Sequence, residues 1–477
     1  MAVNTVYLVT FSAYLLVVLA VGAWGYTRTN DVEDFWVYGR DLGPWLATWS
    51  YVANFVSAVA VVGFIGAIYD VGYAVMAGIS FGLMLGISCL YFVVHRVREL
   101  NHVTLPDIIA DVTGKEWSRP VAAVVLLGNA WLYLIMQLVG ASILVTTITG
   151  VPYRYMVWVL GFVFIAYTVM GGLVSVAWTD LLQGIVMYAM VVLALVYLTF
   201  DLGSLTSINT QFAALDAANT APLGNGVYTV VGIVGSMVAF FGTVFTSQSN
   251  IIRINATRDI ETAKFHLAAA GVLLGAFEVI LVLLGGATSV ALHNAGLAIQ
   301  NTDRAFPVLI TEYLPTEVGA FIILAAMSAI LSTTDTRLHA TGVTTARDIY
   351  GYFAPNAPES KQLDVSRYAT IFFGLAATVV AVNPPGAIIS LYEFRAVLLT
   401  CAFLLPVYAG LYWRGVAGNA LVASMVSGTI VGVGLRLAGS PFGIAPTIAG
   451  VGVAALTLVG GHVLSTEETD EAVSSAD

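Results

Sequence analysis

The chain contains 477 residues, of which 59% are hydrophobic and only 10% are charged, and its mean hydropathy is +0.89. This composition is typical of a polytopic membrane protein and excludes an ordinary water-soluble enzyme. The formal net charge is −10 and the sequence contains no basic patch, so we expect the lipid bilayer, and not a nucleic acid, as a partner.

Thirteen apolar windows of about 20 residues are long enough to cross a bilayer as helices. The predicted fold is therefore all-α, with residues 1–464 forming one transmembrane domain. The acidic segment 465–477 is predicted to be a disordered cytoplasmic tail. The windows lie at residues 4–26, 44–69, 73–95, 119–147, 153–170, 178–200, 226–250, 262–293, 317–346, 364–382, 386–412, 416–437 and 444–464.

The basic residues predict the orientation of these spans. If the N-terminus lies outside, fourteen of the 18 Lys and Arg residues, including Arg253 and Arg337, fall at the cytoplasmic side, and three fall outside. The remaining one, Arg395, lies within a span. Because cytoplasmic loops are enriched in Lys and Arg, we predict an external N-terminus and a cytoplasmic C-terminus in the plasma membrane.

Two spans carry polar residues and glycines that predict a break in the helix. These spans, 44–69 and 226–250, each begin a block of five windows, about 44–200 and 226–412. The second block enters the membrane from the opposite side, as an inverted repeat requires, and matching interrupted helices indicate a binding site. The alternative is that the glycines only permit close helix packing.

The ninth window places two adjacent hydroxyls, Ser332 and Thr333, inside an apolar span. Such hydroxyls either bond to a backbone carbonyl one turn earlier or serve as ligands in a polar site within the membrane. The residues alone leave both interpretations open.

Four segments resemble motifs of the sodium:solute symporter family: 57–72, 171–184, 248–264 and 329–350, the last reading AILSTTDTRLHATGVTTARDIY. The resemblance implies a LeuT-type five-plus-five fold and sodium-driven import of a small solute by alternating access. It also implies a Na⁺ site formed by the carbonyls of Ala53, Val56 and Ala329 with the hydroxyls of Ser332 and Thr333.

The same resemblance places Asp180 on the inner release path of the ion. A different interpretation is equally compatible with the local sequence, because Thr179 and Asp180 followed by Gln183 also form the pattern of a helix N-cap with its capping box.

The solute is expected to be small and partly apolar. Phe55, Val59 and Ala60 occupy positions where sugar-transporting relatives carry polar side chains, so a sugar is not expected. Arg395 either receives a substrate carboxylate, which suits a monocarboxylate, a pantothenate-like solute or an amino acid such as proline, or it pairs with Glu278 or reaches an interface. The candidate substrate-binding residues are Phe55, Ala58, Gln137, Phe241, Thr243, Thr246 and Arg395.

Other functional classes are less well supported by the residues. The six histidines are scattered, and no metalloprotease or Ser-His-Asp pattern indicates an enzyme. Proton coupling through Glu278 or Glu393 is the main alternative to sodium coupling, followed by an uncoupled carrier and a membrane sensor without transport.

Overall fold

The structure is a computed structural model that describes residues 5–27, 36, 38–99, 102–226 and 228–474. Over these ranges it is almost entirely helical, and its β-structure is a single isolated bridge between Leu42 and Thr257. The α-helices are α1 Thr5–Tyr26, α2 Pro44–Phe55, α3 Ile65–Val71, α4 Ala74–Glu99, α5 Leu105–Thr113, α6 Ser118–Thr149, α7 Tyr153–Asp201, α8 Leu205–Leu215, α9 Val230–Phe245, α10 Gln248–Ala256, α11 Ile260–Asn294, α12 Ala305–Val308, α13 Thr316–Thr344, α14 Gly351–Phe353, α15 Glu359–Ala381, α16 Ile388–Tyr412, α17 Gly418–Leu437 and α18 Pro446–Ser474.

Shorter helical segments complete the described chain. Three π-helical segments lie at Val59–Phe64, Leu309–Tyr313 and Thr345–Tyr350. Turns of 3₁₀-helix lie at Tyr38–Arg40, Ala217–Thr220, Gly224–Gly226, Thr302–Arg304 and Pro441–Gly443.

The prediction of an all-α membrane protein is confirmed. Ten helices in the described part of the chain are long and apolar enough to cross a membrane, or eleven if the bent pair Pro44–Phe55 and Val59–Val71 forms one span. The count of thirteen is not confirmed, because Thr5–Val21 and Tyr153–Ala166 are shorter apolar helices.

The first predicted break is present, between α2 and the π-helical segment that follows it. Val56 has extended backbone angles (φ −83°, ψ 127°), and the two halves of the span meet at a bend of 47°. The Ser57 side chain stabilises the break, since its Oγ accepts from the backbone N–H of Val59 at 3.1 Å and from the hydroxyl of Tyr133 at 2.9 Å.

The second predicted break separates α9 from α10. Thr246 leaves the helical region (φ −119°, ψ 16°) and Ser247 is extended (φ −72°, ψ 121°). The glycines of both spans lie away from the breaks and pack instead against neighbours: a Cβ on Gly66 would meet the carbonyl oxygen of Thr302 at 2.6 Å, and Gly242 lies against Thr400. The packing interpretation of these glycines is therefore supported.

The predicted interruption between windows 153–170 and 178–200 is wrong. α7 is one helix from Tyr153 to Asp201, because this stretch contains no proline and glycine alone does not end a helix. Asp180 therefore lies in a helix interior, where Thr179 Oγ1 donates to the carbonyl of Val176 at 3.0 Å. The capping interpretation of Thr179, Asp180 and Gln183 is wrong for the same reason.

The last helix, α18, is assigned from Pro446 to Ser474. The predicted disorder of the segment 465–477 stays a prediction. At the other side of the bundle, α13 packs against α7, α6, α15, α1 and α2. This central position brings the hydroxyls of α13 to the first break.

Candidate functional site

The two adjacent hydroxyls of α13 reach the carbonyls freed by the first break. Ser332 Oγ lies 3.0 Å from the carbonyl oxygen of Ala53 and 3.2 Å from that of Ala329. Thr333 Oγ1 lies 3.0 Å from the carbonyl oxygen of Val56 and 3.0 Å from that of Ala329. All five residues are buried.

This cluster holds five oxygen atoms but only two hydroxyl protons. Because α2 ends at Phe55, the carbonyls of Ala53 and Val56 are among those left without a helical partner. Each hydroxyl contacts a carbonyl of its own helix and one of the first span. Back-bonding is therefore present, and the role as an ion ligand stays a prediction. A surplus of neutral oxygen acceptors is suited to a hard monovalent cation.

A buried ion pair lies one helical turn from this cluster. Arg253 Nη2 donates to Asp180 Oδ2 at 2.7 Å and contacts Thr336 Oγ1 at 3.0 Å. Ser50 Oγ accepts from Arg253 Nε at 2.9 Å and donates to the same Asp180 oxygen at 2.7 Å. The network joins α2, α7, α10 and α13.

Arg253 was counted among the residues at the cytoplasmic side, which stays a prediction, but it is not an exposed anchor at a helix end. Its side chain is only 1% exposed, since α10 is the second half of a broken span and carries the residue into the bundle. Positive-inside counting treats every Arg near a span end alike and does not separate such buried residues from anchors.

A small cavity lies between the two breaks. Its volume is about 20 Å³, which suffices for a water molecule. The cavity is bounded by residues of both broken spans, α4, α6, α13 and α16, namely Asn54, Phe55, Leu83, Tyr133, Thr243, Val244, Ser247, Asn250, Arg337, Tyr392 and Arg395.

Three of the seven candidate substrate-binding residues, Phe55, Thr243 and Arg395, line this cavity. Gln137 instead joins the first break to α13, because its Oε1 accepts from Ala58 N–H at 3.2 Å and its Nε2 donates to the carbonyl of Ile330 at 3.1 Å. Two further candidates lie on α9 and at its end: the Phe241 ring lies 5.1 Å from the Phe245 ring, and the Thr246 hydroxyl donates to the Gly242 carbonyl.

Arg395 does not pair with Glu278, the carboxylate proposed for it, or with the nearby Glu393. Glu278 accepts from Ser80 Oγ at 3.0 Å, and Glu393 pairs with Arg436 at 2.8 Å. The Arg395 guanidinium lies 4.5 Å from the centre of the Tyr133 ring. Among the described residues, its Nε and Nη1 atoms have no hydrogen-bond partner.

Sequence reasoning missed a second arginine in the cavity. Arg337 was counted only as a cytoplasmic charge. Its side chain is 6% exposed, and its guanidinium lies 4.6 Å from the centre of the same Tyr133 ring. Its Nη1 donates to Ser249 Oγ at 3.0 Å. The spacing of four residues from Thr333 predicts a shared helix face and was the available signal.

Comparison with known proteins matches residues 35–428 to the model of the sodium:solute symporter family. The chain belongs to this family. Its relatives include the "High-affinity proline transporter PutP" of Bacillus subtilis, 25% identical over 86% of this chain and 88% of the relative. "Sodium/proline symporter 2" of Staphylococcus saprophyticus is 27% identical over 88% of this chain and 83% of that protein.

Solved structures similar to this symporter-family chain support the fold. A substrate-bound, outward-open Na⁺-coupled sialic acid symporter superposes with a TM-score of 0.83 at 19% identity, covering 97% of this chain and 98% of that one. A nucleobase-cation-symport-1 family transporter superposes with a TM-score of 0.55 at 12% identity, covering 91% and 95%. The present chain is therefore a multi-pass membrane transporter with a LeuT-type fold.

Proposed function

We propose that this family member is a sodium-driven symporter that imports a small organic solute across the plasma membrane by alternating access. The convergence of five buried oxygen atoms across the first break carries the proposal. Na⁺ would be bound by the carbonyls of Ala53, Val56 and Ala329 and by the hydroxyls of Ser332 and Thr333, each within 3.2 Å of a neighbouring ligand.

Neutral ligands suit a coupling ion better than a permanently bound one. With no carboxylate in the ligand set, a single positive charge is held weakly enough to leave. Because the ligands come from both α13 and the broken span, a bound ion would stabilise the conformation in which these two elements are in contact. Ion binding would thereby shift the population toward that conformation. A solute that binds beside the same break would favour the same arrangement, so the binding of Na⁺ and the binding of solute would be coupled.

Asp180 lies on the proposed inner release path. It bonds to Ser50, which precedes Ala53 by three residues on α2 and so shares its helix face. An ion leaving the Ala53 carbonyl toward the inside would next meet this carboxylate. The external N-terminus and cytoplasmic C-terminus remain predictions.

The solute is proposed to carry a carboxylate that contacts Arg395. The Arg395 guanidinium contacts the Tyr133 ring, but its Nε and Nη1 atoms have no hydrogen-bond partner among the described residues. A substrate carboxylate would supply that partner. The candidates are a monocarboxylate, a pantothenate-like solute and an amino acid such as proline, the solute in the names of two relatives.

The ion site can be tested on the purified protein without knowing the solute. Na⁺ binding to the native state raises the melting temperature, so titrating NaCl against KCl at constant ionic strength yields a half-saturating concentration. Ser332→Ala and Thr333→Ala should each raise that concentration at least about tenfold, the effect of roughly 1.4 kcal/mol of lost binding.

Thr334→Ala is the matched control. The Thr334 hydroxyl is also buried, but it bonds only within its helix, to the carbonyl of Ile330 at 2.6 Å. It should leave the half-saturating Na⁺ concentration unchanged. Unaltered sodium dependence in both the Ser332 and the Thr333 variants would defeat the assignment.

Proton coupling is the second candidate, favoured by Glu278. This buried carboxylate accepts from Ser80 Oγ and, within the described ranges, forms no salt bridge, an arrangement that suits a proton carrier. Uptake into proteoliposomes with K⁺ replacing Na⁺ at fixed pH separates the two: sodium coupling predicts loss of uptake, and proton coupling predicts that uptake persists.

A further inference from the structure

Arg337 and Arg395 bring two positive charges to one aromatic ring in the centre of the bundle. Their guanidinium carbons lie 4.6 and 4.5 Å from the centre of the Tyr133 ring, and both side chains line the same cavity. They are 6% and 1% exposed. Two buried cations in contact with one ring are costly unless an anion joins them.

The charge of the pair is not compensated by the protein groups around the cavity. No Asp or Glu occurs among the described residues that line it. Asp180 pairs instead with Arg253 at 2.7 Å, and Glu278, which accepts from Ser80, does not line the cavity. Nε of Arg337 and both Nε and Nη1 of Arg395 have no hydrogen-bond partner within the described part of the chain.

We propose that Arg337 and Arg395 form a two-armed receptor for the carboxylate of a short monocarboxylate that carries a net negative charge. The inference rests on the proposed solute symport and narrows its substrate class. It assigns the carboxylate to both guanidiniums, whose planar N–H groups suit bidentate contact with carboxylate oxygens.

The same geometry disfavours a zwitterionic amino acid. An ammonium group requires a carboxylate, several acceptors or an aromatic face. The described cavity lining offers an ammonium no carboxylate and, in Asn54 Oδ1, a single buried side-chain acceptor without a hydrogen-bond partner. The face of Tyr133 already contacts both guanidiniums, and that of Tyr392 lies 5.3 Å from Arg395. A zwitterion would add a third positive charge to this space.

The apolar side chains of the lining indicate what the ligand carries besides its carboxylate. Phe55, Leu83 and Val244 face the cavity, which suits a short hydrocarbon tail. Since the present volume is about 20 Å³, the cavity must open to admit even a three-carbon acid. A small solute with one negative charge would both neutralise part of the arginine charge and pack its hydrocarbon part against these apolar side chains.

The test measures binding to the purified full chain in NaCl and in KCl by calorimetry and thermal shift. The panel contains propionate, butyrate, lactate and pyruvate, with propionamide as the neutral analogue and alanine and proline as zwitterions. At least one monocarboxylate should bind, and the amide and zwitterions should bind at least about tenfold more weakly. Arg337→Gln and Arg395→Gln should each raise the dissociation constant of the monocarboxylate at least about tenfold.

Three further variants keep the test decisive. Arg436→Gln is the control, because Arg436 pairs with Glu393 and does not line this cavity; it should bind the monocarboxylate as wild type does. If a glutamine variant does not fold, Arg337→Lys and Arg395→Lys retain the charge without the planar fork and should still weaken binding.

Failure of the receptor and failure of sodium coupling have different signatures. Three results would overturn the proposed receptor: proline binding as tight as that of the best monocarboxylate, unchanged affinity in both arginine variants, or no binding of any monocarboxylate. If proline binding depended on sodium, the receptor would be overturned but sodium symport would stand. Monocarboxylate binding that is lost in the arginine variants but equal in NaCl and KCl would instead support the receptor and defeat sodium coupling.

Discussion

The two broken spans free backbone carbonyls in the same way but cover them with different groups. At the first break, the carbonyls of Ala53 and Val56 meet the hydroxyls of Ser332 and Thr333. At the second, the Val244 carbonyl accepts from the side-chain amide of Asn250 at 3.0 Å. A hydroxyl is both donor and acceptor, whereas an amide N–H₂ only donates.

This difference separates the proposed ion site from a break whose carbonyls are closed by structural hydrogen bonds. The Phe245 carbonyl at the second break accepts from the hydroxyl of Tyr408 at 2.6 Å, and the two rings stack with their centres 3.6 Å apart. That hydroxyl is fixed by a large packed ring. At the first break a hydroxyl can rotate its proton away and present a lone pair, so equivalent breaks in the two halves serve different purposes.

The largest expected effect comes from the ion pair that connects the two broken spans. Ser50 belongs to the first span, Arg253 to the second, and Asp180 joins them. Asp180→Ala leaves a buried guanidinium without its partner, which should lower the unfolding free energy by about 3–5 kcal/mol. Thermal unfolding in detergent, in KCl so that Na⁺ does not contribute, measures the loss.

Two comparisons sharpen that measurement. Glu116→Ala removes an exposed pair with Arg119 and should have a small effect, roughly 0–1 kcal/mol. The double variant Asp180→Leu with Arg253→Met should be more stable than Asp180→Ala, because no charge is left buried alone. If Asp180→Ala behaved like Glu116→Ala, the two spans would not be held together by this pair.

How much of this was predictable depends on where the partners lie in the sequence. The oxygen cluster combines two short segments with specific local patterns, and the motif at 329–350 identified Ser332 and Thr333 correctly as residues that meet the first break. The pair of Arg253 with Asp180 spans 73 residues, and no local pattern reports it. Arg337 was not recognised as a cavity residue, because a count of charges does not consider helix faces.

A smaller effect is expected at the second break. Tyr408→Phe keeps the ring stack with Phe245 but leaves the Phe245 carbonyl without a hydrogen-bond donor. This should lower the free energy of unfolding by about 1–3 kcal/mol. The half-saturating Na⁺ concentration should not change, in contrast to Ser332→Ala. Tyr155, whose side chain is 64% exposed, supplies the control Tyr155→Phe, which should leave both quantities unaltered. A shifted sodium dependence in Tyr408→Phe would remove the distinction between the breaks.

The smallest effect concerns α5, which lies outside the membrane-crossing helices and supports the second break. The N–H of Leu105 donates to Gln248 Oε1 at 2.6 Å, and Gln248 is the first residue of α10. Asp107 fixes this end of α5 through Arg347 at 2.7 Å and Arg119 at 3.1 Å. Burial alone would raise the pKa of Asp107, but these guanidiniums outweigh it and lower the pKa below its usual value.

A depressed carboxyl pKa contributes stability above the unfolded-state pKa, and this contribution is lost as the pH falls through the folded-state pKa. Asp107→Asn should therefore have a lower melting temperature than wild type at neutral pH, and the gap should close below pH 4, near the usual aspartate pKa. Asp111→Asn, which removes the adjacent contact with His102, controls for that second pair. Since α5 anchors only the second break, sodium dependence should stay constant along the series; a sodium affinity that falls together with Asp107 protonation would show that the two breaks respond as one unit.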